Sequence, residues 1–481
     1  MSISGALSNA LSGLSAASRA VSLVSTNIAN AMTDGYGRRD IELAARGIGG
    51  GVDVVSVTRS MNQTVLTDRR SADAEVARSG VQSDFYASVA DAIGEPGSGY
   101  SLSDLIAGFE SALTSAAAQP DSEPRLQQSV DAAKSLAVRL DQISDSVQTE
   151  RGRADTAIAS AVSELNENLA QIEQLNTDIR KAWIAGDTAS ALVDQRQSLI
   201  DKVSAIVPVR ELDRGYGTVA LLSEGGLLLD GKAPVIGFQA ATMVVAQSSL
   251  AGSTLSGITV NGVPVDTTRD RHLLSGGKLD GLFAVRDEVA PAVQSDLDAL
   301  ARDLMERFEA SGVDPTLAPG SAGLFTDNGL PFAVANEVGL AGRLTVNAAV
   351  DPDQGGAVWR LRDGLGATSQ GNVGDSSGIV RLRTALTGLR SPASGGLGST
   401  ARDAGTLAAD LLSAVGVRRD GVDGVAAYAG ARSSALTERL AEDGVDSDAE
   451  MQKLLLLEQA YAANARVVTT AQSMIDTLLE M

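Results

Sequence analysis

The chain has 481 residues, of which 44 % are apolar and only 3 % aromatic, so its cores must be built from Leu, Val, Ile and Ala. A net charge of −21 argues against nucleic acid and against an anionic membrane surface, since both partners call for clustered Lys and Arg. With no cysteine and a single histidine, His272, disulfides, thiolate metal sites and multi-histidine metal sites are excluded, and a His-based triad would have to rest on His272, beside which the sequence offers no nucleophile or carboxylate motif; no catalytic residue, metal or cofactor is expected.

Before Arg38 only Arg19 and Asp34 are charged. On a helix, Leu7, Leu14, Val21 and Ile28 fall seven apart, and Ile3, Ala10, Ala17, Val24 and Ala31 form a second series offset by three. This is a heptad seam with many small members, which permits close helix approach. Asp34-Gly35-Tyr36 supplies the turn that stops it. The segment is too polar to cross a membrane, and no apolar run reaches the roughly 18–20 residues a spanning helix needs. It lacks the basic start and apolar centre of a secretory signal.

Residues 52–57 read as a strand after glycines 49–51, which mark a turn because no Lys-Ser/Thr pair follows them as in a phosphate loop. A helix is predicted at 101–118, then a very long one from Pro124 to about Ala185. Along it Ile158, Leu165, Ile172 and Ile179 run in heptads beside Val162, Leu169, Asn176 and Trp183, and Gly152 is a possible break. A helix at 189–206 returns antiparallel after a short turn. Residues 207–270 read as a β-rich insertion, with Val260-Asn261-Gly262-Val263 as a hairpin signal. Helix resumes at 279–311, with Pro291 allowing a kink; 365–400 is Gly/Ser-rich and irregular; 401–440 is compatible with helix.

The last segment starts at a capping box, Ser447 with Glu450, and carries two series: Leu454, Tyr461, Val468 and Ile475, and Leu457, Asn464, Ala471 and Leu478. Asn464 is the polar member that can fix register. Asp443, Asp446, Asp448 and Glu450 do not match a calcium loop and read as a solvated turn whose charge favours the helix start. The two terminal helices either pack onto the core of the body between them or pair with each other and with copies in neighbouring subunits.

The segment ALSGLSAASRAVSLVSTNIANAMTDGYGRR (10–39) resembles the N-terminal signature of the bacterial flagellar axial proteins, the rod, hook and hook-associated family. EQAYAANARVVTTAQSMIDTLL (458–479) is similar to their C-terminal signature. Two departures are a turn that reads Thr33-Asp34-Gly35-Tyr36 where the family has proline, and Gly37 where Ser or Lys is usual. The stretches 105–137, 192–207 and 276–301 narrow the resemblance to the hook-associated members at the hook–filament junction.

The resemblance implies a mainly α chain with a smaller β part, discontinuous and multi-domain. Its parts are a heptad helix and turn at 1–45 paired with a second heptad helix at 441–481 as an inner-tube domain, a helical-bundle body at 46–206 and 271–440, and the β-rich insertion at 207–270. It further implies a non-enzymatic junction piece, outside the cell, exported without a cleaved signal peptide. The implied partners are other copies of itself in a helical assembly, the hook protein, the second hook-associated protein, and an export chaperone on the C-terminal helix. The assembly seam is then Leu7, Leu14, Val21, Ile28, Leu454, Leu457, Tyr461, Asn464, Val468, Ile475 and Leu478, with Asp34, Gly35 and Tyr36 as the turn. A hook or other axial protein is the alternative; a cytoplasmic coiled-coil adaptor, which would be a stable dimer in dilute solution, is a more remote one.

Overall fold

The computed structural model describes residues 2–33, 36–47, 50–186, 189–269 and 271–480. The chain is mainly helical, with short antiparallel sheets. Helix α1 (Ile3–Ala29) starts at Ser2, whose hydroxyl accepts from the Gly5 N–H. A β-ribbon follows, β1 (Arg39–Ala45) with β2 (Val52–Arg59), paired from Arg39↔Arg59 to Ala45↔Val52. The strand expected at 52–57 is therefore half of a hairpin, and the boundary expected at 45/46 falls inside it.

The body begins with α2 (Gln63–Ile93), capped by Asn62, and α3 (Leu102–Ala118), capped by Ser101. The long helix α4 (Glu123–Ile184) runs unbroken, with Pro124 in its first turn where a missing N–H costs nothing. Gly152 does not interrupt it. A glycine there costs about 1 kcal/mol relative to alanine, but its neighbours Arg151 and Asp155 anchor the helix on either side. Arg151, 1 % exposed, donates to the carbonyls of Arg286, Val245 and Ser248. Asp155 accepts from the Ala241 N–H and pairs with Arg286 at 2.7 Å. Leu165, Leu169, Ile172 and Ile179 are buried as the heptads require, whereas Trp183 is half exposed, edge-on to Tyr216. α5 (Ser190–Ile206) folds back on α4, and Arg196 reaches Asn176 at 2.8 Å.

Strands β3 (Arg210–Gly215), β4 (Thr218–Ser223) and β5 (Gly226–Leu229) form one sheet, and β6 (Ile236–Gly237), β7 (Ile258–Val260) and β8 (Val263–Val265) another. Asn261 and Gly262, both at positive φ, close the β7–β8 hairpin in two residues. Asparagines of α4 hold both sheets: Asn176 bonds both backbone groups of Val219, and Asn166 those of Ile236. Leu221, Leu229, Ile236 and Ile258 join the same buried cluster as α4, so these strands lie on the helical body's core.

Helix α6 (Gly277–Ala284) passes into α7 (Ala290–Glu309) through a π-helical turn, Val285–Val289. The widened turn stands just ahead of Pro291, where the expected kink would lie. Short β9 (Phe325–Asp327) and β10 (Leu344–Val346) pair, and Phe325 packs against Phe109 and Phe308. After α8 (Arg360–Asp363), the Gly/Ser-rich stretch is irregular except for α9 (Ser377–Thr387). α10 (Ala404–Glu442), capped by Asp403, lies antiparallel along α2, with Ser83 bonded to Asp423 and Ser433 to Asp73. α11 (Ser447–Leu479) ends the fold.

His272 is buried beside Asp280, and its Nδ1 accepts from the Leu274 N–H. Burial pushes its imidazole below the ordinary range against the opposing pull of Asp280 and Asp266. The folded chain therefore holds it neutral, while the unfolded chain takes up a proton near pH 6.5. Stability from this residue is complete above about pH 6.5 and declines as pH falls below it. Between pH 7.5 and 5.5 the melting temperature should drop, and His272→Gln should drop less; equal losses would contradict this reading.

Candidate assembly interface

The structure brings the two ends of the chain together. Gly13 faces Asn464, and Asn27 faces Glu450, so α1 and α11 are antiparallel. Their extensive contacts are with each other and, for α1, with the β1–β2 hairpin. None of their residues belongs to the buried cluster of the body.

The closest part of the seam is made of small side chains. On α1 the buried residues are Ala10, Ser12, Ala16, Ala17, Ala20, Val24 and Asn27. Leu7, Leu14, Val21 and Ile28, expected as the principal series, are only half buried in one chain. The small second series carries the contact because it lets the helix axes approach, and the larger residues flank it. On α11, Leu454, Leu457, Asn464, Val468 and Ile475 are half buried and Ala471 is buried. Tyr461 and Leu478 remain 47 % and 62 % exposed. A Cβ added to Gly13 would stand 2.9 Å from the Asn464 amide, so this pair sets the register by fit. Asn464 Nδ2 is bonded to the Ala460 carbonyl within its own helix.

Two end features differ from expectation. The cap of α11 is Asp446, which accepts from the N–H groups of Asp448 and Ala449, and the Ser447–Glu450 box does not form. Glu450 turns instead to α1: it is 4 % exposed and accepts from Asn27 Nδ2 at 3.2 Å. In the turn after α1, Asp34 and Gly35 lie outside the described residues. Tyr36 is described, and its hydroxyl donates to Asn27 Oδ1 at 2.7 Å.

Asn27 is the hub that sequence reasoning missed. Fully buried, it also accepts from the Arg39 N–H and donates to the Arg39 carbonyl, at 3.1 and 2.9 Å. One amide thus joins the end of α1, the start of β1 and the start of α11. An asparagine beside a heptad position in an almost uncharged stretch was the available signal. Burial pushes the Tyr36 phenol up, against the Arg39 guanidinium, which lies 4.9 Å over its ring. Burial also pushes Asp40 up, but Lys453, 2.7 Å away on α11, and Arg38 outweigh it and hold the carboxyl below its ordinary range. The hairpin tip is tied back to α1 where the Val52 N–H donates to Ser12 Oγ.

The seam leaves apolar surface on α11 uncovered within the chain. Leu456, Val467, Met474 and Leu478 are exposed on a second face, with Ala460 and Ala463 between them. Among the described residues, no group of acidic or histidine side chains could hold a metal, and no helix is long and apolar enough to cross a membrane.

Gly13→Val should force Asn464 out of register and loosen α1 from α11. Amide exchange in both helices should quicken markedly while α4 stays protected; unchanged exchange in α11 would contradict the assigned register.

Comparison with known proteins agrees with this architecture. Residues 87–325 match the family described as flagellar hook-associated protein FlgK helical domain. Residues 7–36 match flagella basal body rod protein, and residues 438–481 match flagellar basal body rod FlgEFG protein C-terminal. Flagellar hook-associated protein 1 of Salmonella typhimurium is 25 % identical over 69 % of this chain, and the match spans 61 % of that relative's length. Proteins of the same name from Escherichia coli and Bacillus subtilis are 24 % and 22 % identical, covering 100 % and 98 % of this chain and 100 % and 97 % of theirs. The solved flagellar hook junction protein FlgK from Burkholderia pseudomallei aligns with 54 % of this chain and 46 % of that one at 20 % identity and a TM-score of 0.45, too loose a superposition to carry an argument. With rod-protein signatures matched at its two paired ends and the FlgK helical domain between them, the chain is similar over most of its length to the flagellar rod, hook and hook-associated proteins.

Proposed function

We propose that the chain is a structural junction piece of the bacterial flagellum, an adaptor between hook and filament assembled through its paired terminal helices. The observation that carries this is the surface the pair leaves open: Leu456, Val467, Met474 and Leu478 on α11 have no cover within one chain. Half-buried Leu7, Leu14, Val21 and Ile28 on α1 add to it. Apolar surface of this extent marks an interaction site, and its helical spacing suits further helices of the same kind. In this reading the α1–α11 pair forms the inner tube, in contact with neighbouring copies. The hook protein lies on one side and the second hook-associated protein on the other. The helical body at 60–206 and 271–440 forms an outer layer that carries the β-rich part at 207–270. Scarce charge in α1 suits a narrow, crowded wall. The protein acts outside the cell, and its role there is structural rather than catalytic.

Leu14→Asp or Val468→Asp should abolish assembly while leaving the body folded. A carboxylate buried without a partner costs about 3–5 kcal/mol. Cells carrying either change should make hooks without filaments and shed filament protein into the medium. Normal swimming would contradict the seam, and loss of the hook itself would favour the reading as a hook or other axial protein.

Before export, the open face of α11 is a liability that a chaperone would cover in helix-in-groove fashion. Titrating the chaperone into peptide 441–481 should give binding of at most moderate strength, because the helix must order on binding. A chain ending at Gly444 should not bind; equal binding would place the chaperone site elsewhere.

A further inference from the structure

Sequence reading left Gly37 as a departure without a reason. The hairpin gives it one. Arg39 and Arg59 are partners across the first rung of β1 and β2. Both reach the same carboxylate on α5: Arg39 Nη2 lies 2.6 Å from Asp194 Oδ2, and Arg59 Nε lies 2.9 Å from Asp194 Oδ1. All three side chains are about five-sixths buried, at 14–16 % exposure. Arg59 gets there by lying across the bare Cα of Gly37: a Cβ at that position would stand 2.7 Å from its Cγ and 2.9 Å from its Cζ.

Asp194 therefore stands between two groups of elements. On one side are α1, α11 and the hairpin, joined by Asn27, Glu450 and the Lys453–Asp40 pair. On the other is the body, entered through α5. A carboxylate that bridges two guanidiniums, one on each strand of a ribbon, restrains the ribbon in direction as well as position, because each strand is held separately. Without it, two buried like charges would face each other a few ångströms apart, and the ribbon would turn away to solvate them.

We propose that Asp194 is a positioning residue that fixes the direction in which the paired terminal helices leave the body, and that Gly37 is the opening that lets Arg59 reach it. This rests on the assembly reading for its purpose, since a subunit packed in a tube must present its outer layer at one angle. The geometry itself belongs to the single chain.

The test uses the full chain, which has no native cysteine and so takes labels only where cysteines are introduced. Spin labels at Ser22→Cys on α1 and Ser160→Cys on α4 report the direction of the terminal pair relative to the body. Labels at Ser25→Cys and Glu458→Cys report the distance between α1 and α11. With native Asp194 and Gly37, both pairs should give one narrow distance. Asp194→Asn should broaden the first at least twofold and leave the second narrow, and Gly37→Ala should do the same. A first distance that stays narrow in Asp194→Asn overturns the clamp; one that stays narrow in Gly37→Ala overturns the role of the opening. Broadening of the second distance together with the first would reduce Asp194 to general stability, and a broad first distance with both native residues present would also overturn the proposal. Because the distances are read on the isolated chain, they fail or hold independently of filament attachment.

Discussion

α1 and α11 approach over a floor of Ala10, Gly13, Ala17 and Ala20, and that contact requires the chain to bring its two ends to one place. The rest of the architecture follows from this return journey. α2 leads away from the hairpin and α10 leads back along it, antiparallel, so the first and last helices of the body run side by side. Between them α4, α5 and α7 build a core that the terminal helices do not share. A seam of small residues buries little area per residue, roughly 25 cal/mol for each Å² of apolar surface, so the pair is not held by apolar burial alone. Asn27, with all four of its hydrogen-bonding directions used, and the fit of Asn464 against Gly13 supply register and orientation.

The body uses buried charge for a similar purpose. Arg286 is fully buried against Asp155 and Asp287, Arg151 satisfies three carbonyls, and Arg70 joins Asp201 and Glu211. Pairs like these add little net stability compared with apolar packing, but losing one partner is costly. Each ties an irregular or β-rich segment to a helix: 241–248 to α4 through Arg151 and Asp155, and β3 to α2 through Arg70. With aromatics so scarce, directional contacts do the locating that large side chains would otherwise do.

How far the sequence foretold this depends on how periodic each element is. α4 was legible because its Leu and Ile recur every three or four residues for most of its length, and the β7–β8 hairpin because Asn-Gly demands its turn. α2 went unread: the buried positions of its first half are Leu66, Arg70, Ala72, Ala74 and Ser79, too small and polar to show a period. β1 belongs to a two-stranded ribbon with both faces largely open, so its residues do not alternate. In the interface, the heptads marked an apolar face on α1 and on α11 but not which series lies deepest, because period alone does not weigh alanine against leucine. Asn27, Glu450 and Asp194 were out of reach for another reason. Their roles depend on partners 12, 423 and 155 residues away, and nothing local identifies those partners, even where, as at Asn27, the residue itself stands out.

The central claim is that the two ends form a unit with each other and the hairpin, distinct from the body. It is tested most directly by comparing the melting temperature of the full chain with that of residues 60–445 alone. If the ends belong to each other, the shortened chain should melt within a few degrees of the full one, since about 1 kcal/mol shifts a protein of this size by roughly 2–4 °C or less. A fall of ten degrees or more would mean that the terminal helices complete the core of the body, and the account would be wrong.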